Sequence, residues 1–129
     1  SLATIPNFQF AEKAVINYSK TTNRRINWLI GLEYRTTSDQ IKKIKDEIEK
    51  YINQSDLFSK SGNTFLVVKV DQFAASSIDI RLICFTKTSQ YLEWLKVKDI
   101  LAIEIKNIVE KNNASFAFPS TSIYVEKNQ

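Results

Sequence analysis

The chain has 129 residues, 43% of them hydrophobic and 25% charged, which is the composition of one ordinary globular domain and not of a disordered segment. Its 18 lysines and arginines against 14 acids give a net charge of +4, which permits an anionic partner without demanding one. The single cysteine, Cys84, excludes an internal disulfide, and the lack of histidine excludes a Cys/His zinc site.

The front of the chain reads as a short β segment. In Ile5-Pro6-Asn7 proline fixes φ and offers no N–H, and asparagine tolerates a left-handed turn, so the chain is expected to turn near Asn7. Ala14 to Ser19, including Asn17-Tyr18-Ser19, has the content of a short strand, and Lys20 to Arg25 is polar and basic. Two short strands do not make a domain. The chain opens at Ser1 and contains no methionine, so it is read as an excised fragment or a processed product with its amino-terminal neighbours missing. No window approaches the roughly 18 to 20 apolar residues that cross a bilayer, and no signal peptide is visible, so the chain as given is expected to be soluble.

From Arg25 to Tyr34 apolar residues alternate, with Ile26, Trp28, Ile30, Leu32 and Tyr34 on one face of a predicted strand. Thr37 and Gln40 form a candidate capping box, and Ile41, Ile44, Ile48, Tyr51 and Ile52 recur at helical spacing, which predicts a helix over 38–53. Its outer face carries interleaved lysines and acids suited to i,i+4 pairing. Ser55 to Asn63 reads as a turn region, and Phe65 to Val70 as a strand. Ile78 to Phe85 alternates and completes an antiparallel hairpin that points Cys84 to the core. Thr88, Ser89 and Gln90 open a second helix with Leu92, Leu95, Leu101, Ile105, Ile108 and Val109 as its apolar stripe, and Asn112-Asn113 closes it with a left-handed cap. The last extended segment is divided by Pro119 into a short sheet strand at 116–118 and a separate strand, Ser122 to Glu126.

From Arg24 onward the order is strand, helix, strand, strand, helix, strand. The expected fold is therefore α+β, a ferredoxin-like βαββαβ sandwich with two helices on one face of an antiparallel sheet. Such a fold does not specify a function.

No catalytic apparatus is presented. Cys84 sits in phase with Ile78, Ile80 and Leu82 as a small core residue, and Asp79 and Arg81 share the opposite face as a candidate structural ion pair. Gly31 and Gly62 lack the spacing of a phosphate loop. The fold is shared with the RNA recognition motif, but the aromatic signature of that module is missing, so no nucleic-acid partner is expected. Leu29, Ile83 and Phe85 make the uncovered sheet face apolar, which favours oligomer contact over ligand or RNA contact.

Ile5-Pro6-Asn7, Asn17-Tyr18-Ser19, Ile30-Gly31-Leu32-Glu33-Tyr34 before Ser38-Asp39, Ala75-Ser76-Ser77-Ile78, and Phe116-Ala117-Phe118-Pro119 follow one another in a specific order. In that order the chain resembles the cytoplasmic carboxy-terminal region of the small-conductance mechanosensitive channel family, the MscS-type channels. The resemblance covers nearly the whole chain. It implies three parts: residues 1–22 as the end of a middle, Sm-like β domain, 23–119 as the α/β vestibule domain, and 120–129 as a carboxy-terminal oligomerisation strand of a small barrel. It implies a homo-heptamer of the bacterial inner membrane, with this region on the cytoplasmic side, opened by bilayer tension to release ions and small osmolytes. Contact with the lipid bilayer would run through transmembrane helices absent from this sequence. The resemblance marks Pro6, Asn7, Asn17, Ser19, Phe118, Pro119, Ile123 and Val125 as seam and assembly candidates, with no cofactor, no metal, no specific small-molecule ligand and no enzymatic role. Two departures stand out: Asn113-Ala114 where the family commonly has glycine, and Phe8 where a small residue often follows the Pro-Asn pair. The rival reading is a stand-alone ferredoxin-like domain that binds RNA or a small regulatory molecule.

Overall fold

The computed structural model describes residues 23–118. They form strand β1 (Arg24–Leu32), helix α1 (Ser38–Gln54), strands β2 (Val67–Phe73) and β3 (Ile78–Thr86), and helix α2 (Tyr91–Lys111). The sheet is antiparallel with order β1-β3-β2. In β1 the side chains of Ile26, Ile30 and Leu32 are buried, and their partners across the ladder, Cys84, Ile80 and Ile78, are buried with them. Period-two alternation thus delivers one apolar face. Ile44, Ile48 and Ile52 of α1 and Val97, Leu101, Ile105, Ile108 and Val109 of α2 close over that face and complete a single core.

The α+β split βαβ arrangement is present, and among the described residues its fourth strand is one bridge. Phe116 pairs with Leu32, Glu33 N donates to Ser115 O at 3.1 Å, and Ala117 N donates to Gly31 O at 3.0 Å. In that register the next donor toward Leu29 O would be residue 119, which is proline and has no N–H.

Helix boundaries follow capping chemistry. Thr37 is the N-cap of α1: its hydroxyl accepts from Gln40 N at 3.1 Å, and its own N–H donates to Gln40 Oε1 at 2.7 Å. This is the reciprocal capping box expected from the sequence. The amide of Gln40 also donates to Asn112 O at 2.8 Å and Asn113 O at 3.1 Å, so the start of α1 is tied to the end of α2. Asn113 has φ 59°, the left-handed conformation that ends α2 without glycine.

Four local expectations are corrected. β1 stops at Leu32, and Tyr34 lies in a turn closed by Thr36 N and Oγ1 donating to Glu33 O, where it is exposed and stacks on Phe73. Helix α2 starts at Tyr91, three residues later than Thr88, and its Leu92 is 75% exposed. Leu92 is nine residues from Leu101, two and a half helical turns, and so faces away from the core that Val97 and Leu101 enter. Strand β2 runs to Phe73 with a bulge between Val70 and Gln72. Within the presumed turn region, Phe58 is completely buried and bridges Thr86, with Ser59 N donating to Phe85 O and Lys87 N to Leu57 O.

Candidate functional site

The face of the sheet away from the helices is built from the odd-numbered positions of β1 and β3. Ladder registry arranges them in rows: Arg25 beside Phe85, Asn27 beside Ile83 and Val67, Leu29 beside Arg81 and Lys69, and Gly31 beside Asp79 and Gln72. The face is not uniformly apolar, as the sequence had suggested. Phe65 packs edge-on against Phe85 with ring centroids 5.1 Å apart, while a polar row crosses the middle. Arg81 donates to Asn27 Oδ1 at 3.0 Å and to Asp71 Oδ2 at 3.2 Å. The bulge frees Asp71 from the ladder, so Asp71, and not the expected Asp79, is the ion-pair partner of Arg81.

Asp79 lies at the end of this face and is only 6% exposed. Its oxygens accept from Ser77 Oγ at 2.6 Å and from Gln72 Nε2 at 2.8 Å. A Cβ on Gly31 would stand 3.3 Å from Asp79 Oδ1 and from Ser77 Cβ, so glycine leaves room for the carboxylate on the sheet. Asp79, Gly31, Ser77, Leu29, Phe116 and Phe118 border a groove of about 330 Å³. Phe118, one of the assembly candidates, is 74% exposed on its rim. The other candidates, Pro6, Asn7, Asn17, Ser19, Pro119, Ile123 and Val125, lie outside the described residues.

At the opposite end, Arg24 locks the start of β1 to the first turns of α2. Its Nε donates to Ser89 O at 3.0 Å, and its guanidinium carbon sits 5.5 Å from the Tyr91 ring and 5.0 Å from the Trp94 ring. Lys98 Nζ lies 4.0 Å from the Trp94 ring, and Trp94 Nε1 donates to Arg25 O at 3.3 Å.

Cys84 is the one free thiol, and burial pushes its pKa up from 9.0 to about 12. The sign follows: between pH 9.0 and about 12 the unfolded thiol loses its proton while the folded one keeps it, so this stabilisation is complete below 9.0 and falls as pH rises to about 12. Native protein at pH 8 should resist iodoacetamide and react once urea unfolds it, with mass spectrometry reading the adduct. Rapid native alkylation would contradict a buried Cys84. Burial, and then the negative charge of Glu104, also raise the pKa of Tyr51 in the cleft between the helices.

Among the described residues the chain is a two-layer sandwich whose second sheet face carries both apolar and charged side chains. Its family is given by sequence: the pattern described as "Mechanosensitive ion channel MscS, C-terminal" matches residues 26–116. This chain belongs to the MscS mechanosensitive channel family, which is not a family of enzymes. It is 35% identical over 98% of its length to an MscS family protein of Aquifex aeolicus, covering 34% of that protein. It is 34% identical over 95% of its length to the low conductance mechanosensitive channel YnaI of Escherichia coli, covering 35% of it. The chain thus spans about a third of the length of these curated relatives. The same fold occurs in closed-state MscS of Helicobacter pylori, with TM-score 0.59 and 22% identity over 77% of this chain and 36% of that one. It occurs also in MSL1 A320V of Arabidopsis thaliana, with TM-score 0.65 and 18% identity over 78% of this chain and 37% of that one.

Proposed function

We propose that this chain is part of the cytoplasmic vestibule wall of a homo-heptameric channel in a bacterial inner membrane, which opens under membrane tension to release ions and small osmolytes. The observation that carries the reading is the 34% identity, across 95% of the chain, to a protein named as a low conductance mechanosensitive channel. The contribution of this region is architectural. The α/β domain of 23–119 forms the wall, residues 1–22 are the end of a middle β domain above it, and 120–129 tie subunits together. Pro6, Asn7, Asn17 and Ser19 belong to the upper seam; Phe118, Pro119, Ile123 and Val125 belong to the lower assembly region.

The test uses the full-length parent protein, expressed in cells lacking other mechanosensitive channels. Suction on excised patches should evoke tension-dependent currents, and the cells should survive osmotic downshock. A parent protein that reaches the membrane but gives no such current would overturn the reading. Deleting Thr121 to Gln129 from that protein should lower the seven-subunit mass in light scattering while the circular dichroism of the α/β domain stays unchanged. An unaltered oligomer would refute the assembly role of this strand.

A further inference from the structure

The start of α2 is built in a way that helix stability does not explain. Its N-cap, Gln90, makes no side-chain capping bond, and a guanidinium from another element, that of Arg24, lies against its first turn. A cation at that end opposes the helix dipole, where an acid would be favoured. Glu93, the acid of that turn, lies 4.0 Å from Lys96, and among the described residues no acid forms an ion pair with Arg24. What holds the guanidinium is neutral: the carbonyl of Ser89 and the rings of Tyr91 and Trp94.

Arg24 is also where the chain enters the domain. It opens β1 just after the segment 1–22, and its ladder partner is Thr86, the last residue of β3. A terminal ladder pair on its own frays readily. Here α2 reinforces it at two successive residues, Arg24 through its side chain and Arg25 through its carbonyl, which accepts from Trp94 Nε1 at 3.3 Å. On the β3 side Thr86 is fully buried and its hydroxyl donates to Thr88 O at 2.7 Å, while Gln90 N donates to Thr88 Oγ1 at 3.1 Å. The entry of β1, the exit of β3 and the first turns of α2 are thus tied together. A displacement of the chain before Arg24 has two routes into the domain: along the β1 ladder, and across the guanidinium straight into α2.

We propose that Arg24 is a mechanical strap that passes load arriving from residues 1–22 directly to α2, so that the helix moves with the segment entering beside it. This rests on the reading of 1–22 as the end of a β domain above the vestibule wall, and it names the contact through which that domain would pull on the wall.

The experiment stretches single molecules of the 129-residue chain in optical tweezers, with handles on introduced cysteines. Cys84 is buried and takes no handle in the folded protein. One handle pair, Ser1→Cys with Asn107→Cys, sends load through residue 23. The other, Ser61→Cys with Asn107→Cys, sends it through the connection before β2 and leaves the strap out of the path. At equal force Arg24→Gln should unfold about tenfold faster than the unaltered chain with the first pair, and within about twofold of it with the second. Trp94→Leu should change the ratio of the two rates in the same direction, and the double variant should change it no further than either, because both remove one contact.

An equal acceleration with both handle pairs would overturn the strap and leave Arg24 an ordinary stabilising residue. No acceleration with either pair would overturn the contact as a bearer of load. Circular dichroism establishes that each variant is folded, and if Arg24→Gln does not fold, Tyr91→Ala gives the same comparison at an exposed ring. The channel reading stands or falls separately, on tension-dependent current in the parent protein.

Discussion

Phe58→Ala is expected to lower the unfolding free energy by about 3–5 kcal/mol, the cost of deleting a buried aromatic ring and leaving its cavity. Among the described residues Phe58 is the largest of the fully buried side chains, and it joins the same core as Ile44, Ile48, Leu82 and Leu101. The ring is held from the backbone too, since the chain on either side of it bonds to Phe85 and Lys87 beyond the end of the β2–β3 ladder. The site therefore has little freedom to collapse. A domain of this size is stable by about 5–15 kcal/mol, so the variant should sit near the edge of folding. Urea titration by circular dichroism measures the change, and Phe58→Leu should recover most of it. A loss under about 1 kcal/mol would mean that the 55–63 connection is not part of the cooperative core.

Gln40→Ala should cost about 2 kcal/mol, more than an ordinary surface substitution, because one side chain supports three backbone groups. It accepts from Thr37 N and donates to Asn112 O and Asn113 O, 72 and 73 residues away. Gln40→Glu separates the two roles. The carboxylate keeps the capping acceptor, yet it presents oxygen to two carbonyls, so little stability should return in thermal melts at neutral pH. Full recovery by glutamate would show that the cap alone matters and that the tie to the end of α2 contributes nothing.

The helices and central strands were legible where one signal dominated. Alternation from Arg25 to Leu32 and from Ile78 to Phe85, together with the Thr37/Gln40 box, placed β1, β3 and the start of α1. The last turn of α2 was legible because asparagine at 113 is suited to the left-handed cap. Phe58 was not, because a single aromatic between Asp56 and Ser59 has no period and is fixed by a bridge to a strand 28 positions later. Leu92 misled for the opposite reason: α2 has apolar residues on several sides, and only phase measured from Leu101 distinguishes core from surface. The partner of Arg81 depends on a one-residue bulge, which composition does not encode. Of the candidate site, the sheet face away from the helices was legible from strand alternation. The groove was not, because Gly31 and Asp79 are 48 residues apart in sequence and meet only through registry.

The position of β1 also has a consequence in time. Of the three paired strands among the described residues it is made first, yet its ladder partner β3 begins at Ile78, and the pair from Arg24 to Thr86 encloses α1 and β2. Chain entropy must be surrendered over a long loop before that ladder contributes, whereas each helix can flicker into place locally. Helical signal should therefore appear on the microsecond scale after dilution from denaturant, and burial of Trp28 and Trp94 should follow more slowly, on the scale of milliseconds. During synthesis β1 must remain without its central partner until the hairpin emerges, and its alternating apolar face is exposed for as long as the ribosome takes to deliver it.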